Sequence, residues 1–244
     1  MIPIANDDSD RTLTPVLTYL LIAANIAVFV LFQGMGTNDS FTYAFSTVPK
    51  EIVTGRDIVT SPRVVHDQAS GQSFEQPGLR PTPGSVYLTL LVSMFMHGGF
   101  AHLFGNMLYL WVFGDNLENR LGRPRFLIFY LVCGILASLA HVFATVATHG
   151  NTLVPSLGAS GAISGVLGGY MLLYPGRRVR MLVGRSVAEM PAWVSIGVWF
   201  AFQLIAGLGM LGGEAEGGGV AYGAHIGGFV AGLVLVKLFA AGRR

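Results

Sequence analysis

The sequence predicts an all-α integral membrane protein, built as a bundle of six transmembrane helices. Of its 244 residues, 52% are hydrophobic and only 11% are charged, whereas a typical soluble domain has about 25% charged residues. Six apolar stretches approach the roughly 20 residues needed to cross a bilayer, some only if polar interruptions are allowed. The formal net charge of +2 is too small to suggest a nucleic-acid partner.

The six predicted spans are joined by connections of unequal length. Their approximate limits are 15–32, 100–117, 126–148, 160–174, 192–211 and 220–241. Residues 1–14 are predicted to be a polar tail that precedes a membrane domain over 15–242. The long connection 33–96 has a middle rich in Pro, Gly and Ser, which is typical of a flexible loop. Its aromatic and polar part, 41–52, is suited to the membrane interface.

Basic residues fall in alternate connections and so predict the orientation. Arginines cluster between spans two and three and between spans four and five, and Lys237, Arg243 and Arg244 close the chain. The connections between spans three and four and between spans five and six contain no Lys or Arg. By the positive-inside rule, the arginine-bearing loops and both termini are cytoplasmic. This regular alternation supports the count of six spans.

Span four is unusual because it opens with the sequence GASGAISG, residues 158–165. Glycine is a poor helix former, and hydrocarbon cannot satisfy a serine hydroxyl. Gly161 in span four, together with the GxxxG formed by Gly228 and Gly232 in span six, would allow two helices to approach closely. We expect spans four and six to be in contact.

Four polar residues from three spans share one predicted depth, near the outer ends of their helices. Ser160 begins span four, His225 lies about five residues into span six, and His102 and Asn106 lie on one face of span two. Because polar groups within spans usually face the bundle interior or a cavity, we expect them to meet. An imidazole beside a serine hydroxyl is an activated nucleophile. Asn106, His102 and the backbone N–H of Ser160 could stabilise an oxyanion.

Plainer interpretations and other chemistries remain open at this point. Taken singly, Ser160 fits a packing serine, His225 an interhelical hydrogen bond, and His102 with Asn106 a polar clamp. A transporter using His102, Asn106 and His225 would need polar residues through the full thickness, yet the cytoplasmic halves of spans four and six are apolar or Gly/Ala. An inactive protein that binds membrane clients is a third possibility. The H-E-x-x-H motif of zinc proteases is absent, and we expect neither a metal nor a cofactor.

At these residues the sequence resembles the rhomboid family of intramembrane serine proteases. Three motifs in order carry the resemblance, which extends from span one to span six: HGGFAHLFGNMLYLWVFGDNLENRLG at His97–Gly122, GASGAISG at Gly158–Gly165, and AHIGGFVAG at Ala224–Gly232. Together these motifs are highly specific. The resemblance implies a rhomboid-like six-helix bundle that cleaves transmembrane protein substrates within the lipid bilayer.

The resemblance also assigns roles to single residues. It implies that Ser160 is the nucleophile and His225 the general base, and that His102 and Asn106 help to form the oxyanion hole. Glu118–Arg120 matches the E-x-R that the family uses structurally. Some bacterial members have a tyrosine four residues after the nucleophile, where this chain has Ser164. The default location is a bacterial plasma membrane, and the sequence gives no oligomeric state.

Overall fold

The structure, a computed structural model, describes residues 1–66, 73–207 and 221–242. The helices and strands are, in chain order, β1 (Ile2–Asn6), α1 (Val16–Ala27), α2 (Asp39–Phe45), α3 (Pro49–Thr54), β2 (Arg63–His66), β3 (Ser73–Gln76), α4 (Thr89–Val92), α5 (Phe100–Leu121), α6 (Arg123–Ala147), α7 (Ser160–Leu173), β4 (Arg178–Val183), β5 (Ser186–Pro191), α8 (Ala192–Gly207) and α9 (Tyr222–Ala240). The fold is mainly helical, as predicted for a membrane domain.

A helix overlaps each of the six predicted spans: α1, which a π-helical turn extends to Phe32, and α5 to α9. Helix α5 runs past the end of its predicted span, and α6 begins before the start of its own. By length and composition, α6 and α9 can each cross a membrane, and the helical run Val86–Phe95 with α5 adds a third span if that pair, bent by 78°, counts as one. The other three helices are apolar but shorter. The count of six spans therefore stays a prediction, and 208–211 and 243–244 lie outside the described residues.

Helix α7 is the centre of the bundle, and its residues Gly161 to Tyr170 are all buried. A Cβ atom added to Gly228 of α9 would lie 2.1 Å from the carbonyl oxygen of Gly161, and one added to Gly232 would lie 2.0 Å from that of Gly165. The backbones of α7 and α9 therefore touch directly. This contact aligns the first turns of the two helices at one end of the bundle.

The opposite end carries a three-stranded antiparallel sheet in the order β1–β4–β5, and we call it the sheet end. Two sequence segments that we expected to be a polar tail and a basic loop form this sheet. In β4 the buried Val179 and Met181, which belong to the main core, alternate with the exposed Arg178 and Arg180. Such a period of two is typical of a strand with one buried face.

Polar contacts tie the N-terminal segment to the sheet end. Asp115 near the end of α5 forms an ion pair of 2.8 Å with Arg11. Arg177 contacts Asp10 at 2.5 Å and donates to Asn116 Oδ1 at 2.7 Å. Residues 1–14 are thus part of the domain. Strand β1 is followed by a coil that ion pairs attach to α5 and to the segment before β4.

The described parts of the long connection 33–96 pack at the other end of the bundle, which we call the site end, and contain α2 to α4 and the antiparallel pair β2–β3. Gln33 holds the backbone of His97: its Oε1 accepts from the His97 N–H at 2.8 Å and its Nε2 donates to the His97 carbonyl at 3.0 Å. Thr47 and Ser156 exchange backbone hydrogen bonds of 2.9 and 2.8 Å. These hydrogen bonds therefore hold in place the two segments that precede α5 and α7.

Candidate active site

The loop before α7 delivers Ser160 to the first position of that helix. The Gly158 N–H donates to the Ser93 carbonyl at 2.9 Å, and Gly158 has φ +129°, a backbone conformation that favours glycine. The first N–H groups of a helix have no intrahelical acceptor and carry the positive end of the helix dipole. The hydroxyl of Ser160 thus lies beside backbone donors suited to a developing negative charge.

The structure brings Ser160 and His225 into hydrogen-bond contact, with 2.7 Å between Ser160 Oγ and His225 Nε2. His225 lies in the first turn of α9, and the glycine contact between α7 and α9 sets the separation of the two side chains. Both residues are partly exposed. An imidazole nitrogen at this distance can accept the hydroxyl proton during attack on a carbonyl.

The two predicted oxyanion donors lie in the first two turns of α5, and His102 is next to Gly158, close to Ser160. Gly98 N–H donates to His102 Nδ1 at 3.3 Å, so a neutral His102 ring carries its proton on Nε2. That Nε2 lies 3.0 Å from the position of a Cβ added to Gly158. Asn106, one turn further along α5, is buried, and among the described residues its Nδ2 has no hydrogen-bond partner. An unpaired buried donor is costly, and a substrate oxyanion would give it a partner.

A cleft reaches the Ser160 hydroxyl from the site end. Its lining is dominated by small side chains from the connection, from the loop before α7 and from α6, α7 and α9: Ser93, Gly134, Ser138, Ser156, Gly161 and Ala224. A space of this size beside Ser160 can hold water, which hydrolysis consumes. Among residues 1–66, 73–207 and 221–242, no group of three His, Cys, Asp or Glu side chains is arranged to hold a metal ion.

Two neighbours of His225 escaped the sequence analysis. Gln203 of α8 places Oε1 2.7 Å from His225 Nδ1, and the Trp199 ring lies 6.1 Å from the His225 ring between centroids. Ser164 does not serve the histidine, because its hydroxyl donates back to the Ser160 carbonyl at 2.6 Å. Gln203 is one of only two polar residues in predicted span five. This was the signal that could have revealed it.

Glu118 lies at the sheet end, far along α5 from the candidate site. Its buried carboxylate accepts from the N–H groups of Leu17 and Thr18 at 3.0 and 2.8 Å and from the Thr18 hydroxyl at 2.8 Å. Arg123 Nε lies 3.8 Å from the same carboxylate, and Arg120 is half-buried in the same turn. Glu118 thus holds the start of α1, where helix N–H groups would otherwise lack partners.

We expect Glu118→Ala to destabilise the fold and to leave the chemistry of the site intact. The substitution removes three hydrogen bonds to a buried carboxylate, a loss of roughly 3–5 kcal/mol. Thermal unfolding in detergent measures this effect as a lower midpoint. Glu118→Gln retains an acceptor, so its unfolding midpoint should lie between those of the wild-type protein and Glu118→Ala. An unchanged midpoint for Glu118→Ala would show that α1 does not depend on this contact.

Comparison with known proteins gives one consistent result. Residues 84–242 match the Rhomboid domain family. The chain is 29% identical over 218 residues to "Rhomboid protein 1, mitochondrial" of Saccharomyces cerevisiae, over 89% of this chain and 51% of that protein. It is 31% identical over 208 residues to "Rhomboid protease GluP" of Bacillus subtilis, over 83% of this chain and 34% of that protein.

A shorter match connects the chain to an animal protein. It is 36% identical over 93 residues to "Presenilin-associated rhomboid-like protein, mitochondrial" of Homo sapiens, over 38% of this chain and 24% of that protein. The chain therefore spans about half the length of the yeast relative, and less of the bacterial and human ones.

Proposed function

The chain belongs to the rhomboid family of integral membrane proteins, and on that basis we propose that it is an intramembrane serine endopeptidase with Ser160 as nucleophile and His225 as general base. The observation that carries the proposal is the 2.7 Å separation of Ser160 Oγ and His225 Nε2. An imidazole and a hydroxyl at this distance form the smallest unit able to perform acyl transfer. Ser160 lines a cleft that is large enough to hold water.

In the first half of the proposed reaction, His225 Nε2 takes the hydroxyl proton as Ser160 Oγ attacks the peptide carbonyl carbon. The carbonyl oxygen becomes an oxyanion, which accepts hydrogen bonds from Asn106 Nδ2, His102 Nε2–H and the backbone N–H groups at the start of α7. The tetrahedral intermediate then collapses. His225 gives its proton to the leaving amine, and an acyl-enzyme remains.

In the second half, water entering the cleft replaces the amine. His225 takes a proton from the water molecule, whose oxygen attacks the ester carbon. Collapse of the second intermediate breaks the bond to Ser160 Oγ, and the proton returns to the serine. The new carboxylate end of the substrate leaves. No step in this sequence requires a metal or a cofactor, because every proton moves between the dyad, water and substrate.

The arginines at the sheet end support an orientation for this chemistry. Arg123, Arg177 and Arg180 lie there, so the positive-inside rule assigns that end to the cytoplasm and the site end to the outer face. We propose substrates that are transmembrane helices cut near their outer ends. A peptide bond within a helix is shielded, so unwinding by helix-breaking residues near the cut favours cleavage. A bacterial plasma membrane is the proposed location.

Reconstitution tests this function directly. The protein is placed in liposomes with a single-span substrate that carries a Gly-Pro pair near its outer end, and the products are mapped by mass spectrometry. We expect cleavage near that pair. A matched substrate with Leu-Ala in its place should be cut more slowly. A folded protein that cuts neither substrate would contradict the proposal.

The same liposomes separate the alternatives. Conduction of ions or solutes without cleavage would favour a polar pathway through His102, Asn106 and His225. Stable binding of the substrate without cleavage or conduction would favour an inactive client-binding protein. The intact pair of Ser160 and His225 argues against the latter.

We expect Asn106→Ala to lower kcat by about 10²–10³-fold, the usual effect of removing one oxyanion donor. KM should change little, since the donor acts on charge that develops only in the transition state. The unfolding midpoint should also change little, because Nδ2 has no partner among the described residues of the resting protein. Cleavage at the wild-type rate would remove Asn106 from the oxyanion hole.

A further inference from the structure

Gln203 is a buried amide on α8, a helix whose other described residues are apolar except for Ser195, and many of which face outward. Its side chain is 7% exposed, whereas its neighbours Phe202 and Leu204 are 54% and 37% exposed. Burying an amide inside a membrane bundle is unfavourable unless the group is hydrogen-bonded. The bond to His225 Nδ1 at 2.7 Å supplies the partner.

The direction of this bond determines which ring nitrogen of His225 carries the proton. A carbonyl oxygen can only accept, so Gln203 Oε1 selects the ring form with its proton on Nδ1. In a neutral ring the other nitrogen, Nε2, then presents its lone pair to Ser160 Oγ. This form is the one that can accept the serine proton, whereas the opposite tautomer would present an N–H to the hydroxyl.

We propose that Gln203 is a positioning residue of the Ser160–His225 pair, holding the imidazole in its proton-accepting tautomer and orientation. The inference rests on the proposed function. Gln203 fills the place that a carboxylate occupies in a three-residue serine hydrolase site. Being neutral, it orients the ring without adding a buried charge, which would be costly within the membrane.

The aromatic neighbours do not replace this role. The rings of Trp199 and Tyr222 lie 6.1 and 6.4 Å from the His225 ring between centroids. Ring packing restricts the tilt of an imidazole, but it does not distinguish the two tautomers. Only a hydrogen-bond partner at Nδ1 does so.

Two substitutions separate positioning from simple anchoring of α8. Gln203→Met keeps the length of the side chain and removes the acceptor, and we expect kcat to fall about 10- to 100-fold at nearly constant KM. Gln203→Glu places a carboxylate at Nδ1 and favours a protonated ring. We expect the acid limb of its pH profile of kcat/KM to move to higher pH, with most activity regained above that limb. An anchoring role alone would leave the limb where it is.

The controls address folding and the other titrating groups. Ser195→Ala alters a second buried polar residue of α8, whose hydroxyl donates to the Ala192 carbonyl in its own helix at 3.2 Å, and should keep the wild-type rate and pH profile. His102, His141 and Tyr222 are the titratable groups near His225 among the described residues. None is changed in either variant, so a moved limb reports on position 203.

The outcomes are distinct. A fully active Gln203→Met together with an unmoved limb in Gln203→Glu would overturn the inference while leaving the proposed function intact. If Gln203→Met fails to fold, the pH profile of Gln203→Glu decides alone. A folded wild-type protein that cleaves nothing would overturn the proposed function and this inference together.

Discussion

Ser160→Ala is expected to abolish cleavage, with a fall in kcat of roughly 10⁶-fold to the background rate. The variant lacks the atom that forms the acyl-enzyme. His225→Ala should lose a similar amount, because an unassisted serine hydroxyl is a weak nucleophile at neutral pH. The double variant should be no worse than either single variant, since the two residues act as one unit. Cleavage of the reconstituted substrate is the measurement.

Ser164→Ala provides the matched control for these losses. Ser164 lies one turn along α7, is buried like its surroundings, and its hydroxyl donates to the Ser160 carbonyl. Removing its hydroxyl should leave activity within a few-fold of wild type. Substantial cleavage by folded Ser160→Ala would assign the nucleophile to another residue.

Gly228→Val is expected to be the most damaging change to the fold. A single added Cβ atom would lie 2.1 Å from the Gly161 carbonyl oxygen, well inside van der Waals contact. Helices α7 and α9 must separate to admit it. Gly228→Ala should cost about 1–3 kcal/mol as an overpacked site, and Gly228→Val should yield little folded protein. Thermal unfolding and the yield of monodisperse protein measure both.

The milder variant also tests the link between packing and chemistry. Separating α7 from α9 moves His225 away from Ser160, and a displacement of about 1 Å can cost 10²-fold in rate. Folded Gly228→Ala should therefore cleave the substrate more slowly than the wild-type protein does. Gly197→Ala in α8 is the control, because in the part of the chain that the structure describes a Cβ there meets no atom of another helix within 4 Å. A stable and fully active Gly228→Val would contradict direct contact between the two backbones.

The helices could be predicted from sequence because hydropathy reports directly on burial in lipid. The predicted span 100–117 fell four residues short of α5, whose last turn contains Glu118 and Arg120. The span was ended before these residues because charged residues are typical of a loop outside the membrane. In the structure the Glu118 carboxylate is buried against the start of α1, a contact between distant segments that hydropathy does not reveal.

The sheet and Gln203 could not be predicted for related reasons. Strand β4 has the alternation of a half-buried strand, but its arginines gave it the composition of a cytoplasmic loop, and its partner β1 lies far away in sequence. The orientation of Gln203 around α8 depends on how that helix packs. A single apolar helix gives no periodicity from which its inward face can be identified.

Covalent labelling tests most directly whether Ser160 and His225 form an activated pair. A fluorophosphonate is incubated with the folded wild-type protein, and the adduct is located by mass spectrometry of its peptides. We predict a single adduct on Ser160 that is absent from Ser160→Ala and strongly reduced in His225→Ala. Folded wild-type protein that carries no adduct on Ser160 would contradict the proposal that this serine is a catalytic nucleophile.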